Sequence, residues 1–390
     1  MKNTTGKIFL AATAAVMGAA SVEACTSWVI HSSATKTGRM MVNKCRDNTP
    51  GRVNADIVRS PRGWRFMRLG EYPVWAGFGM NEKGVVVACN DGDALTVAHR
   101  RGEHVQINSP AILQQVLVEC DNAYDGAMLY RDHCRAFRRP SGGDRNHGST
   151  LLVADPNRAF IVDVGAGYGE IKEVTNGLFV YSNKMHLPGN EYISCSLLGG
   201  FLSDRARESN TRKVMNQYRE DGKFTLNGVI RAGRAKCGQE LKDKYPFRAI
   251  SLGGTCFDLD PEFPAYLNTA YAAIGPQRHT VYLPIPMALR KMPEKIRGGK
   301  WGDRALAFRK KCGDEHPNVQ ALYDFEAKIF PEYDKVREEA RLLLRAGKTD
   351  EAVKLLNDCF ERQFEAADEL LDKLFETTPP CADPSRNCGN

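Results

Sequence analysis

The feature that most constrains the fold is a series of short β-branched runs between Thr26 and Met287, broken by Gly, Asn and Asp. "TSWVIHSS", "GRMMVNKCRD", "GVVVACND", "STLLVADP", "AFIVDV", "LFVYSN", "AYLNTAYAAIG" and "HTVYLPI" all read as strands. "ATKTG" and "DPNR" between neighbouring runs read as hairpin turns, and so does "GAGYG" at Gly165–Gly169, which lacks the Lys-Ser/Thr of a phosphate loop. Helical periodicity breaks in at Ala111–Tyr130, Asp204–Tyr218 and Leu226–Leu241. Strands in blocks with helices between them predict an α+β layered fold.

After Met287 the character of the chain changes. Residues 288–311, including "RKMPEKIRGGKWGDR", read as a basic linker. Residues 312–378 read as a helical hairpin, with Val353, Leu356, Phe360, Phe364, Ala367, Leu371 and Leu374 spaced by three or four. Gly347 is the expected stop of its first helix and Thr349 the expected N-cap of the second. One such unit is too little for a repeat fold, so it is expected to pack on the main domain, 25–287. A Cys-containing tail, 379–390, follows Pro379 and Pro380.

Residues 1–24 have the parts of a secretory signal: Lys2 and Lys7, an apolar run from Ile8 to Ala20, and Val22 and Ala24 flanking Glu23. The run is shorter than the roughly 20 apolar residues of a membrane-spanning helix, and no later segment reaches that length. The expectation is a secreted or periplasmic protein that begins at Cys25, with no membrane span. Cleavage removes two positive charges and one negative from the formal +7, leaving +6. Basic residues are dispersed rather than gathered on one face with aromatics, which argues against a nucleic-acid partner. Twelve cysteines in an exported chain predict disulfides; setting Cys25 aside leaves eleven, so at least one further thiol is expected to be free or paired between chains, and sequence does not give the connectivity of the rest. The absence of a matched CxxC pair argues against zinc, and no metal or organic cofactor is expected.

Three readings compete for Cys25: a disulfide cysteine, a lipid-anchored cysteine, and an N-terminal nucleophile. Glu23 stands against the lipid anchor, where a small residue is expected. The nucleophile reading has a chemical rationale, because an α-amine titrates near neutrality and can take the proton from the thiol of its own residue.

Four further stretches favour that reading. "CTSWVIHSSATKTGRMMVNKCRD" resembles the opening of the cysteine N-terminal-nucleophile hydrolases of linear amides. "GMNEKGVVVACND" resembles the Asn-Glu-Lys-Gly segment of the choloylglycine hydrolase and penicillin V acylase group. "FVYSNKMHLPG" and "SNTRKV" resemble elements of penicillin acyltransferases. With "HGSTLLVADPNRAFIVDV" and "GGTCFDLDPEFPAYLNTAYAAIG" they span most of Cys25–Pro286 in order, and secreted dipeptidases of the same superfamily also carry a helical C-terminal region.

The resemblance implies a four-layer αββα sandwich with a helical appendage, acting on a small-molecule amide or short peptide through a thioester. It makes Cys25 the nucleophile, Asp47 the holder of its amine, Asn90 and Asn183 the oxyanion and substrate-pocket residues, and Arg212 a support. Where the family has Arg-Asn-x-Asp this chain has Lys44-Cys45-Arg46-Asp47, so either Lys44 or Arg46 supplies the cation. Residues two apart on a strand share a face, which puts both within reach and Cys45 on the other side. His186 is a candidate for the pocket wall, and His147 or His186 would be the base of a rival papain-like pair. The alternative from another class is a secreted binding or surface protein on the same scaffold with Cys25 disulfide-bonded or lipidated; an acyltransferase or dipeptidase is the alternative within the superfamily.

Overall fold

The computed structural model describes residues 25–47, 52–72, 78–92, 109–136, 148–165, 168–184, 186–187, 199–235, 247, 251–314 and 318–381. The expected signal, 1–24, lies outside them, as do His147 and most of the expected tail.

Two antiparallel sheets carry the fold. The first has the order β10-β1-β2-β11-β12-β13, from β1 (Thr26–Ile30), β2 (Met40–Asp47), β10 (Leu178–Tyr181), β11 (Ser251–Leu259), β12 (Thr269–Ile274) and β13 (Tyr282–Pro286). The second runs in chain order through β3 (Arg52–Arg59), β4 (Arg65–Tyr72), β5 (Phe78–Asn81), β6 (Val86–Gly92), β7 (Gly148–Ala154), β8 (Ala159–Gly165) and β9 (Tyr168–Glu173). Every expected run contributes a strand, although "AYLNTAYAAIG" first forms the short helix α5 (Pro264–Leu267). The expected turn at "DPNR" joins β7 to β8, and β8 pairs with β9 across the "GAGYG" stretch.

Period-two alternation sorts the strand side chains into layers. Val29, Met40, Val42, Phe257, Met80, Val86, Ala88 and Leu152 meet between the sheets in one core. On the far side of the first sheet Trp28, Ile30, Met41, Cys45 and Val180 pack with Met215, Val229 and Ile230 from α3 (Gly199–Gln217) and α4 (Leu226–Arg234). On the far side of the second, Val85, Val87, Cys89 and Val162 pack against α1 (Ser109–Glu119) and α2 (Ala123–Ala136). The helix expected over Ala111–Tyr130 is thus two helices. The break occurs because Asp155 accepts the amide of Ala123 at 2.7 Å and Asn122 that of Asp125 at 2.9 Å, starting a new helix there.

Residues 288–311 are not a linker. They fold largely into α6 (Glu294–Arg297) and α7 (Lys300–Cys312), and Trp301, Ala305, Phe308 and Cys312 form a buried stripe at helical spacing. Composition suggested a basic connector, but the basic residues occupy mainly the outer face of an amphipathic helix. Gly302 lets α7 press against β3: a Cβ there would stand 2.6 Å from the carbonyl oxygen of Val53. Trp301 donates its indole N–H to Thr280 at 3.0 Å and lies tilted on Phe364, 5.0 Å between centroids.

The hairpin consists of α8 (Val319–Arg345) and α9 (Thr349–Thr377), joined through Gly347 at φ +74°. Lys348, not Thr349, occupies the cap position of α9. Leu322, Phe360, Ala367 and Leu371 enter the inter-sheet core, while Tyr333, Ala340, Leu356 and Cys359 enter the core outside the first sheet. No helix among the described residues is long and apolar enough to cross a membrane. Among the described residues no disulfide is formed, and Cys25, Cys45, Cys256, Cys312 and Cys359 are separate buried thiols; Cys195, Cys237 and Cys388 lie outside the described residues.

Candidate active site

Cys25 immediately precedes β1 and is buried. Its position shares the parity of Ser27 and Val29, so it belongs to the inter-sheet side, as do Lys44 and Arg46 on β2 and Asn90 on β6. The apolar core gives way here to polar side chains at the ends of β1, β2 and β6.

Arg46 is the cation at the sulfur: its Nη1 lies 3.6 Å from Cys25 Sγ. A guanidinium there is a partner for the negative charge that sulfur acquires as a thiolate. Lys44 faces the same way but is occupied one pair further in, donating to the carbonyl oxygen of Cys89 and, at 2.6 Å, to Asn90 Oδ1. Cys45 points to the opposite core, where burial pushes its thiol up to about 12, as it also raises Cys256. Such thiols stay protonated and are packing groups.

The main-chain nitrogen of Cys25 donates to Asn183 Oδ1 at 2.6 Å. Asp47 brings its main-chain oxygen to 4.0 Å from Cys25 Sγ, and its carboxylate accepts the hydroxyl of Ser251 at 2.6 Å. Asn90 is committed differently from the oxyanion role that resemblance gave it. Its Nδ2 donates to the carbonyl oxygens of Tyr181 and Ser182, at 3.3 and 3.2 Å, while its Oδ1 receives Ser27 Oγ at 2.7 Å as well as Lys44. This amide ties the second sheet to the first.

Arg212 is not at the thiol; it donates to the carbonyl oxygen of Val180 at 3.2 Å. The arginine of α3 that reaches the site is Arg207, whose Nη1 donates to the carbonyl oxygen of Cys25 at 2.8 Å and to Thr26 Oγ1 at 3.2 Å. Its Nη2 donates to Asn183 Oδ1 at 3.2 Å and is paired with Asp204. A motif match singled out "SNTRKV", whereas the usable signal was helical spacing: Asp204, Arg207 and Thr211 form a polar stripe that is buried with Met215.

His186 lies 3.4 Å from Glu208, with its ring edge-on to Phe179 and Tyr181. Burial, together with the positive charges of Lys184 and Arg212, drives its pKa well below the usual imidazole value, so it is neutral. The stretch that carries it is fixed by Asp163, which accepts the amides of His186 and Leu187 at 2.6 and 2.7 Å. The arrangement therefore offers a thiol with a guanidinium at its sulfur and a side-chain acceptor at its nitrogen. That combination suits nucleophilic attack by a residue whose own nitrogen handles the proton.

No protein-family profile and no curated protein matches this chain. Among solved structures it is similar to penicillin V acylase from Agrobacterium tumefaciens, with 13% identity and a TM-score of 0.36 over 65% of this chain and 84% of that one. At that level of superposition neither activity nor substrate is carried across.

Proposed function

We propose that this protein is an exported amidohydrolase of the N-terminal-nucleophile type, in which Cys25, freed by removal of residues 1–24, attacks a linear amide. The observation that carries the reading is the setting of Cys25: Arg46 at 3.6 Å from its sulfur and Asn183 at 2.6 Å from its nitrogen, with Arg207 on its carbonyl. The thiol sulfur forms a bond to the amide carbon as its proton passes to the α-amine. The C–N bond then breaks, the amine leaves carrying that proton, and water releases the acid from the thioester. Arg46 balances charge at sulfur, and Asn183 with Arg207 keeps the amine aimed. The substrate is an acyl-amino acid, a bile-salt-like or penicillin-like amide, or a short peptide. Export to the periplasm or the medium follows from the signal pattern. Disulfides would then involve cysteines outside the described residues, such as Cys195, Cys237 and Cys388.

Intact mass and N-terminal sequencing of the exported protein test the first requirement: an unmodified Cys25 at the terminus is expected, and a lipid adduct or another first residue overturns the mechanism. Cys25→Ala is expected to reduce hydrolysis across an amide panel to background while the melting temperature changes little. Retained hydrolysis in that variant would exclude the thiol.

A further inference from the structure

Asn183 is held by more than its own contacts. The residue before it, Ser182, donates its hydroxyl to Glu208 Oε1 at 2.8 Å. On the other side, the ammonium of Lys184 lies 3.3 Å from Glu208 Oε2. One carboxylate thus grips both neighbours of the asparagine that faces the nitrogen of Cys25. Glu208 also follows Arg207 directly on α3, so two successive side chains of that helix reach the same place: Arg207 to Asn183 itself and to Cys25, Glu208 to the residues on either side.

We infer that Glu208 is a positioning residue for the nucleophile, acting through Ser182 and Lys184 to hold Asn183 Oδ1 against the α-amine of Cys25; this rests on the N-terminal-nucleophile reading above. A carboxylate is a costly choice at this depth. Burial raises Glu208 above the usual carboxylate value although Lys184, Arg212 and the Ser182 hydroxyl pull it down. The fold accepts that cost where an apolar residue would leave Ser182 and Lys184 without this acceptor. The charged groups facing Glu208 are Lys184 and Arg212, with neutral His186 beside it. Those around the nitrogen and sulfur of Cys25 are Arg207, paired with Asp204, and Arg46, with Asp47 next along β2.

An acceptor on the protonated amine favours that form, so loosening Asn183 leaves an amine that loses its proton at lower pH and is less well aimed. The test uses the chain beginning at Cys25 and p-nitrophenyl acetate as probe, reading acetylation of the Cys25 peptide by mass against pH. Glu208→Ala and Ser182→Ala are each expected to slow acetylation about tenfold and to move its acidic limb down by about half a pH unit. Ser182→Ala removes no charge, so a shift in that variant reports position rather than field. The double variant is expected to be no worse than the stronger single one, as for two parts of one device. If Glu208→Ala does not fold, Ser182→Ala and Glu208→Gln carry the comparison. Wild-type rate and limb in these variants, with both disturbed in Asn183→Ala, would overturn the role of Glu208 alone. Wild-type behaviour in Asn183→Ala, or no acetylation of Cys25 in the parent chain, would overturn the nucleophile reading and this inference with it.

Discussion

At Asn90 one amide serves two sheets, and its four contacts decide what kind of residue it is. Both faces of the amide are engaged by groups of the protein, Tyr181 and Ser182 on nitrogen, Lys44 and Ser27 on oxygen. Asn90→Ala therefore takes one of its acceptors from the buried ammonium of Lys44 and a donor from two buried carbonyls, and is expected to lower stability by about 2–3 kcal/mol in urea unfolding. An oxyanion donor would behave differently, losing rate with stability unchanged. Lys44 and Arg46 divide the polar end of β2 in the same way. The first joins the sheets, and the second addresses the sulfur.

Between elements, the hairpin is bound to the first sheet by buried ion pairs as well as by apolar side chains. Arg234 of α4 makes two parallel hydrogen bonds to Glu326 of α8, 2.5 and 2.6 Å, and the same carboxylate accepts the amide of Tyr282 on β13. Arg337 of α8 and Arg39 before β2 converge on Asp258 of β11 at 2.6 and 2.7 Å. Burial alone would raise the Asp258 pKa, but the two guanidinium groups outweigh it and hold the carboxyl at about 2. A carboxylate depressed in the folded state contributes stability that is complete above its unfolded value near 4 and is lost as pH falls through about 2. The loss is on the order of 2 kcal/mol. Unfolding free energy measured between pH 5 and pH 2 is expected to fall, and Asp258→Asn to start lower and to lack this part of the slope. Removing one partner of so buried a cluster also leaves arginine charge behind, so Asp258→Asn is expected to be destabilised by about 3–5 kcal/mol at neutral pH.

For the molecule as a whole, the C-terminal helices are part of the core rather than an attachment to it. Leu322, Phe360, Ala367 and Leu371 share one apolar cluster with Val29, Val42 and Leu152 from the two sheets. Deleting residues from 312 onward exposes that cluster, and the remainder is expected not to accumulate as a soluble folded protein. The full chain is expected to unfold its sheets and helices together, with circular dichroism and tryptophan fluorescence giving one coincident transition. Gly302→Ala, which drives a methyl group toward the carbonyl of Val53 across the α7–β3 contact, is expected to lower that transition by about 1–3 kcal/mol.

Sequence alone marked strands such as Thr26–Ile30, Met40–Asp47 and Val86–Gly92, because short apolar and β-branched runs favour extended backbone whatever the partner, but both faces of these strands are covered and β3, β4, β5, β9 and β11 carry no comparable signal. It also determined that Lys44 and Arg46 look the same way and Cys45 the other, since that follows from the pleat alone. Composition misjudged 288–311, where a basic outer face concealed the stripe of Trp301, Ala305, Phe308 and Cys312. It took the packing of distant segments to bring Arg46 to the sulfur, Arg207 rather than Arg212 to Cys25, and Asn183, expected in the pocket, to its nitrogen. Those contacts join residues up to 182 positions apart, and their geometry depends on how α3 and the second sheet are set against β1, a matter of packing that no local pattern encodes.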